Sequence, residues 1–79
     1  MRTNLSSRAR EQAVAAIIEA RFRLSEFEKV RREEPEYWAS ARNDMARGIY
    51  GEALREKERL LRASDESIAA EQLSLSIAR

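Results

Sequence analysis

Glu33, Glu34 and Glu36 crowd around Pro35, the chain's one proline, and are the densest group of side chains that could do acid–base chemistry. Neighbouring carboxylates do such work when burial drives their pKa values apart. Here Arg31 and Arg32 stand beside them and Pro35 suits the first position of a helix, so the cluster is expected to be a solvated corner with acid near a helix N-terminus. Cysteine and histidine are absent. That removes disulfides, the usual zinc sites, thiol nucleophiles, imidazole bases and every Ser-His-Asp arrangement. It also removes the Glu-x-x-His pairs that build di-metal sites in helical bundles. The two glycines, Gly48 and Gly51, lack the rest of any phosphate-binding loop. No catalytic, cofactor-binding or metal-ligating residue is assigned, no cofactor is expected, and the chain is not expected to be an enzyme.

The remaining chemistry is charge. Thirteen of the fifteen cations are arginine, yet the net charge is only +1 in a chain that is 37% charged, so the domain is not globally basic. Arg21, Arg31, Arg32, Arg55, Arg59 and Arg62 are the candidates for phosphate contact, and they define the alternative reading, a helical hairpin dimer that binds nucleic acid. Against it, Glu52, Glu56 and Glu58 interleave the basic residues of the segment REKERLLR and should form intrahelical pairs, worth a few tenths of a kcal/mol each. No short glycine-containing turn of the helix-turn-helix kind is evident either.

The elements that must carry these residues are helices. From Ser6 or Ser7 to Glu34 there is no glycine or proline, which predicts one long helix over 6–34 with Ser7 as its cap. Ala13, Ile17, Ala20, Leu24 and Phe27 repeat on it at spacings of four and three, a heptad seam. Pro35 opens a second helix, 35–63, on which Trp38, Ala41, Met45 and Ile49 form the facing stripe. Past Gly48 the apolar positions drift to Tyr50, Ala53, Leu54, Leu60 and Leu61, and the helix is expected to continue with at most a slight bend. Ser64 or Asp65 caps a third helix, 65–77, on which Ala69, Leu73 and Ile77 share a face. Residues 1–5 are expected to be flexible and the last few to fray. The fold expected is thus all-α: one small domain over 1–79, a long antiparallel helical hairpin with a short third C-terminal helix, or two such hairpins joined in a dimeric bundle.

The first helix carries a second apolar strip. Val14, Ile18 and Phe22 recur at every fourth residue, rotated about 100° from the Ile17/Leu24 seam. One strip faces the second helix, and the other needs further cover: Ile68, Leu73 and Ile77 of the third helix, a second subunit, or a foreign protein. Val14, Ile18 and Phe22, with the aromatic anchors Tyr37 and Tyr50, are the partner-binding candidates. Trp38 is assigned to the core.

Thirteen of the apolar residues are alanine, so large core-forming side chains are few, and a chain this small often gains stability from a partner. The segment REEPEYWASARNDMARGIY, a charged helix end followed by Pro35 and an aromatic pair, resembles the hairpin cochaperones of type III secretion needle subunits. It is also similar to the proline junction in the theta subunit of bacterial DNA polymerase III. Both resemblances are confined to that segment and transfer no functional residue. They imply a small helical protein that stabilises or blocks another protein. The expected function is therefore a non-enzymatic interaction module: an adaptor, a cochaperone, or a small bacterial or phage inhibitor. Its partner is another protein or a second copy, in preference to nucleic acid or membrane. With Ala13–Ile18 as the longest apolar run, no leader or span is expected and the setting is cytoplasmic.

Overall fold

The computed structural model describes residues 5–77, and every regular element in it is helical. In chain order these are α1 (Ser7–Phe22), α2 (Leu24–Glu33), α3 (Pro35–Ala39), a 3-10 turn (Ala41–Asn43), α4 (Asp44–Leu61) and α5 (Asp65–Ile77). The molecule is elongated, 50 × 26 × 17 Å. The flexibility expected of residues 1–5 concerns residues outside the described ones, except Leu5. Leu5 is half-buried against the core, and its N–H donates to Asp65 Oδ2 at 3.1 Å.

The long first helix of the sequence reading is two helices. Ser6, one residue before the expected cap, accepts the Ala9 N–H at 3.1 Å and starts α1. At Arg23 the backbone turns left-handed, φ 55° and ψ 47°, a conformation uncommon for a side chain of this kind. Glu19 holds the break together: its carbonyl accepts the Arg23 N–H, and its carboxylate accepts the N–H and hydroxyl of Ser25 in the first turn of α2. Neither glycine nor proline marks the position, so the usual breaker signals pass over it.

The second expected helix is also divided. Ser40 is extended (φ −67°, ψ 156°), and side chains take up the carbonyls that a continuous helix would use. The Ser40 hydroxyl donates to Tyr37 O at 2.8 Å, as does the Asn43 amide at 2.5 Å. Arg47 donates to Trp38 O at 2.5 Å and Ser40 O at 2.8 Å. From Asp44 onward α4 runs unbroken through Gly48 and Gly51, as expected. Its buried face, however, is drawn from the set that drifted: Ala53 and Leu60 are fully buried and Tyr50 half-buried, while Leu54 and Leu61 of that set, and Met45 and Ile49 of the expected stripe, are exposed.

α1 packs on both α4 and α5. Ala13, Val14, Ile17 and Ile18 contribute half of a small core completed by Leu24, Ala53, Leu60 and Ile68, with no buried polar group among the described residues. Ile17 lies along the α1–α5 seam with Leu75, and Ile18 along the side that Leu24 and Lys57 approach. Val14 and Ile18, expected to be exposed for a partner, are therefore fully buried, and Phe22 is half-buried against the same core. Ile68 and Leu75 of α5 cover α1, whereas Leu73 and Ile77 point away.

Ile18→Ala should accordingly cost about 2–5 kcal/mol, as much as Leu60→Ala, measured by urea unfolding of the purified chain. Gly48 sits inside α4 without positive φ, and a Cβ there meets nothing within 4 Å. Gly48→Ala should therefore raise stability by about 0.5–1 kcal/mol in the same measurement.

Candidate functional surfaces

Two surfaces stand out, an arm and a helix face. The arm is built from α2, α3, the 3-10 turn and the first half of α4. Phe27, Trp38 and Tyr50 meet there, with ring centroids 6.0 Å (Phe27–Trp38), 6.4 Å (Phe27–Tyr50) and 5.5 Å (Trp38–Tyr50) apart. Such tilted and edge-on contacts add about 0.5–1.5 kcal/mol per pair beyond burial. Arg31 lies 5.8 Å from the Tyr50 ring centroid and donates to its hydroxyl at 3.2 Å. Glu28, Arg31, Arg32 and Tyr50 line an open cleft of about 290 Å³. All three rings are only half-buried, and α3 and the 3-10 turn contain no buried residue. The arm thus rests on aromatic edges and on the Arg47 strut rather than on a closed core. Tyr37 projects from α3 with 52% of its surface exposed, and Met45 and Ile49, one helical turn apart on α4, are 79% and 37% exposed.

The helix face is the outer side of α5. Ala70, Leu73, Ser74 and Ile77 line a shallow depression there, and Leu73 and Ile77 are 61% and 75% exposed. The sequence offered Ile68, Leu73 and Ile77 together as one possible cover for the second strip of α1, because period alone cannot say which of two faces turns inward; Ile68 takes that place and the other two do not. No signal in the sequence settled it: the one charged residue between Ser67 and Ile77, Glu71, would by itself mark the solvent side, and it turns inward only because Arg21 and Arg59 meet it.

Of the partner-binding candidates, the structure leaves Tyr37 accessible and draws Tyr50 into the aromatic cluster, while Val14, Ile18 and Phe22 serve the core. The arginine candidates do not form one stripe. Arg21 of α1 contacts Glu71 of α5 at 3.0 Å and Glu56 of α4 at 3.8 Å, and Arg59 contacts Glu71 at 3.1 Å and also pairs with Glu56. Arg31 is engaged with Tyr50 and Arg32 flanks the cleft, while Arg55 and Arg62 are exposed. At the other end of α1, Arg10 donates to Asp65 at 2.5 Å, to Leu61 O at 2.9 Å and to Ala63 O, clamping the turn between α4 and α5.

Glu33, Glu34 and Glu36 are all exposed. No group of three potential metal ligands, and no helix long and apolar enough to cross a membrane, occurs among the described residues. No protein-family model, curated protein or solved structure matches the chain.

The charge clamps and the Glu19 staple depend on pH. The Ser25 hydroxyl and N–H hold the Glu19 carboxyl below its usual value, the Arg59 hydrogen bond does so for Glu56, and the Leu5 N–H together with Arg10 does so for Asp65. A carboxyl whose folded pKa is depressed contributes stability that is complete above its unfolded value, near 4.5 for Glu and 3.8 for Asp, and is lost as pH falls through the folded value. Thermal unfolding should therefore show a constant midpoint above about pH 5 and a falling one between about pH 5 and pH 2, with a shallower fall in Glu56→Gln.

Proposed function

We propose that this chain is a non-enzymatic protein-interaction module that offers outward apolar side chains of a helical scaffold to a partner protein. In this reading α1 with α2, and α4, form a hairpin running in opposite directions. Arg10 beside Leu61 at one end and Arg31 beside Tyr50 at the other support that orientation. The observation that carries the proposal is the exposure of Tyr37, Met45 and Ile49 on one arm while the core is closed without them. Aromatic and methionine side chains are favoured at such contacts because they bring large area at low entropic cost or adapt to the partner's shape. Whether the module serves as adaptor, cochaperone or inhibitor depends on the partner.

Nucleic-acid binding is the contrasting reading, and the pairing of Arg21 and Arg59 with Glu56 and Glu71 weighs against it. The test is affinity capture from the source cell with the wild-type chain and with the Tyr37→Ser/Met45→Ser variant, beside a mobility-shift assay on mixed RNA and DNA. A protein retained by the wild type from about 50 to 200 mM salt, and lost with the variant at unchanged helicity, is the expected result. Nucleic-acid binding that weakens steeply over the same salt range would reverse the assignment.

A further inference from the structure

We infer that the joint between α1 and α2 is a two-state hinge that decides whether Met45 and Ile49 are presented or covered. The bent state described above leaves them bare. In a straight state α1 and α2 run as one helix, and the α2 segment lies over them. The hinge gives the apolar surface of the interaction module a control, and it rests on that reading only for the use made of the surface.

Three observations carry the inference, and the first is a row of residues on α4. Ala53, Ile49 and Met45 recur at every fourth position and share one side of the helix. Exposure climbs along that row from 0% to 37% to 79%, so the cover over Ala53 fails toward the start of α4. In the hairpin orientation α1 points toward that end, but it stops at Phe22 because Arg23 turns the chain aside. Arg21 stands 3.8 Å from Glu56, and from there Ile49 and Met45 lie about 10 and 16 Å further along α4 at 1.5 Å per residue. The ten residues of α2, added straight to α1, would extend it by about 15 Å and so reach both.

The second observation is that no breaker residue imposes the bend. Arg23 is the one non-glycine residue with positive φ among the described residues, and a side chain makes that left-handed backbone costly where glycine would not. Residues 19–27 contain neither glycine nor proline, and a continuous helix would keep Leu24 on the side of Ile17, seven positions earlier. The straight helix is thus a second conformation open to the same segment.

The third observation is what holds the bend. The latch is made of side chains at the surface, the Glu19 carboxylate accepting the N–H and hydroxyl of Ser25. Leu24 in the core, and Phe27 against Trp38 and Tyr50, hold the bent state with it. Beside the latch a cavity of about 120 Å³ opens among Ala15, Ile18, Leu24, Glu28 and Lys57, which gives the joint room to move. One residue absorbing a backbone rotation between two sets of contacts is the usual construction of a hinge, and any change that loosens the latch shifts the population toward the straight state.

The test is pulsed dipolar electron paramagnetic resonance on the full chain, spin-labelled through Gln12→Cys and Glu33→Cys. Both positions are exposed, one on α1 and one on α2, and the sequence has no other cysteine. A straight helix holds them about 32 Å apart, and the bend brings them closer. Glu19→Ala removes the latch, Arg23→Val opposes positive φ with a β-branched side chain, and Arg23→Gly relieves the bend of its cost. The expected result is the shorter distance in the wild type and in Arg23→Gly. Glu19→Ala and Arg23→Val should each move at least about a third of the population to the long distance, with helicity kept or raised. Glu19→Ala/Arg23→Gly should return to the shorter one. In the long-distance variants the Met45 methyl signal should become shielded from a soluble paramagnetic agent.

Distance distributions in Glu19→Ala and Arg23→Val that match the wild type overturn the inference. So does a broad distribution with lost helicity in both, which would mean that the joint unfolds rather than straightens. A straightened chain whose Met45 stays as accessible as before overturns it too, since α2 would then cover nothing. Only purified chain is used, so a rigid bend leaves the capture of a partner through Tyr37 and Met45 standing. A working hinge in a chain that captures no partner removes the use of the surface and keeps the motion.

Discussion

The structure depends on one constraint: α1 is apolar on two adjacent strips and both must be covered. Ile17 lies on one and Val14 with Ile18 on the other, and all three are fully buried. A single facing helix can cover only one such strip, so α1 needs two neighbours, and it packs on α4 and α5. Half of the fully buried residues belong to α1. Its removal or loosening would leave α4 and α5 with little to hold them.

The charged residues follow from that arrangement. Arg10 at one end of α1 fixes the turn by which the chain passes from α4 to α5, and Arg21 at the other end joins Glu56 and Glu71. Each exposed pair is worth little alone. Their placement at the two ends of the sandwich sets how the three helices line up along one another. The arm beyond this sandwich is built differently, on half-buried rings and on side chains that occupy backbone carbonyls. Such a region has few fully buried contacts and belongs to the low end of local stability, where binding surfaces are commonly found.

The helical class, the restart at Pro35, the passage of α4 through both glycines and a cap at Ser64 or Asp65, where the Ser64 hydroxyl accepts the Ser67 N–H at 3.1 Å, were all legible from residue types and spacing. The breaks at Arg23 and Ser40 were not. They are imposed by specific side chains, Glu19 on Ser25 and Arg47 with Asn43 on the carbonyls of α3, that meet only once the chain has folded. Among the partner-binding candidates, Tyr37 is exposed. Val14 and Ile18 were misread because a second apolar strip signals a need for cover without naming the element that supplies it. Leu73 and Ile77 were grouped with Ile68 as one of three possible covers, and only Ile68 packs inward, because the side on which Glu71 meets Arg21 and Arg59 of the folded chain is set by tertiary contacts. Period locates faces, and tertiary partners such as Arg21 and Arg59 decide which of them turns inward.

The central claim is that one chain covers both strips of α1. Isotope-filtered methyl NOE spectroscopy on an equal mixture of labelled and unlabelled chains tests it most directly. The account predicts that the Ile17 and Ile18 methyl groups show NOEs only to core methyl groups of their own chain. Intermolecular NOEs to Ile17 or Ile18 would contradict it, because they would mean that a second molecule, and not α4 and α5 of the same chain, completes the core.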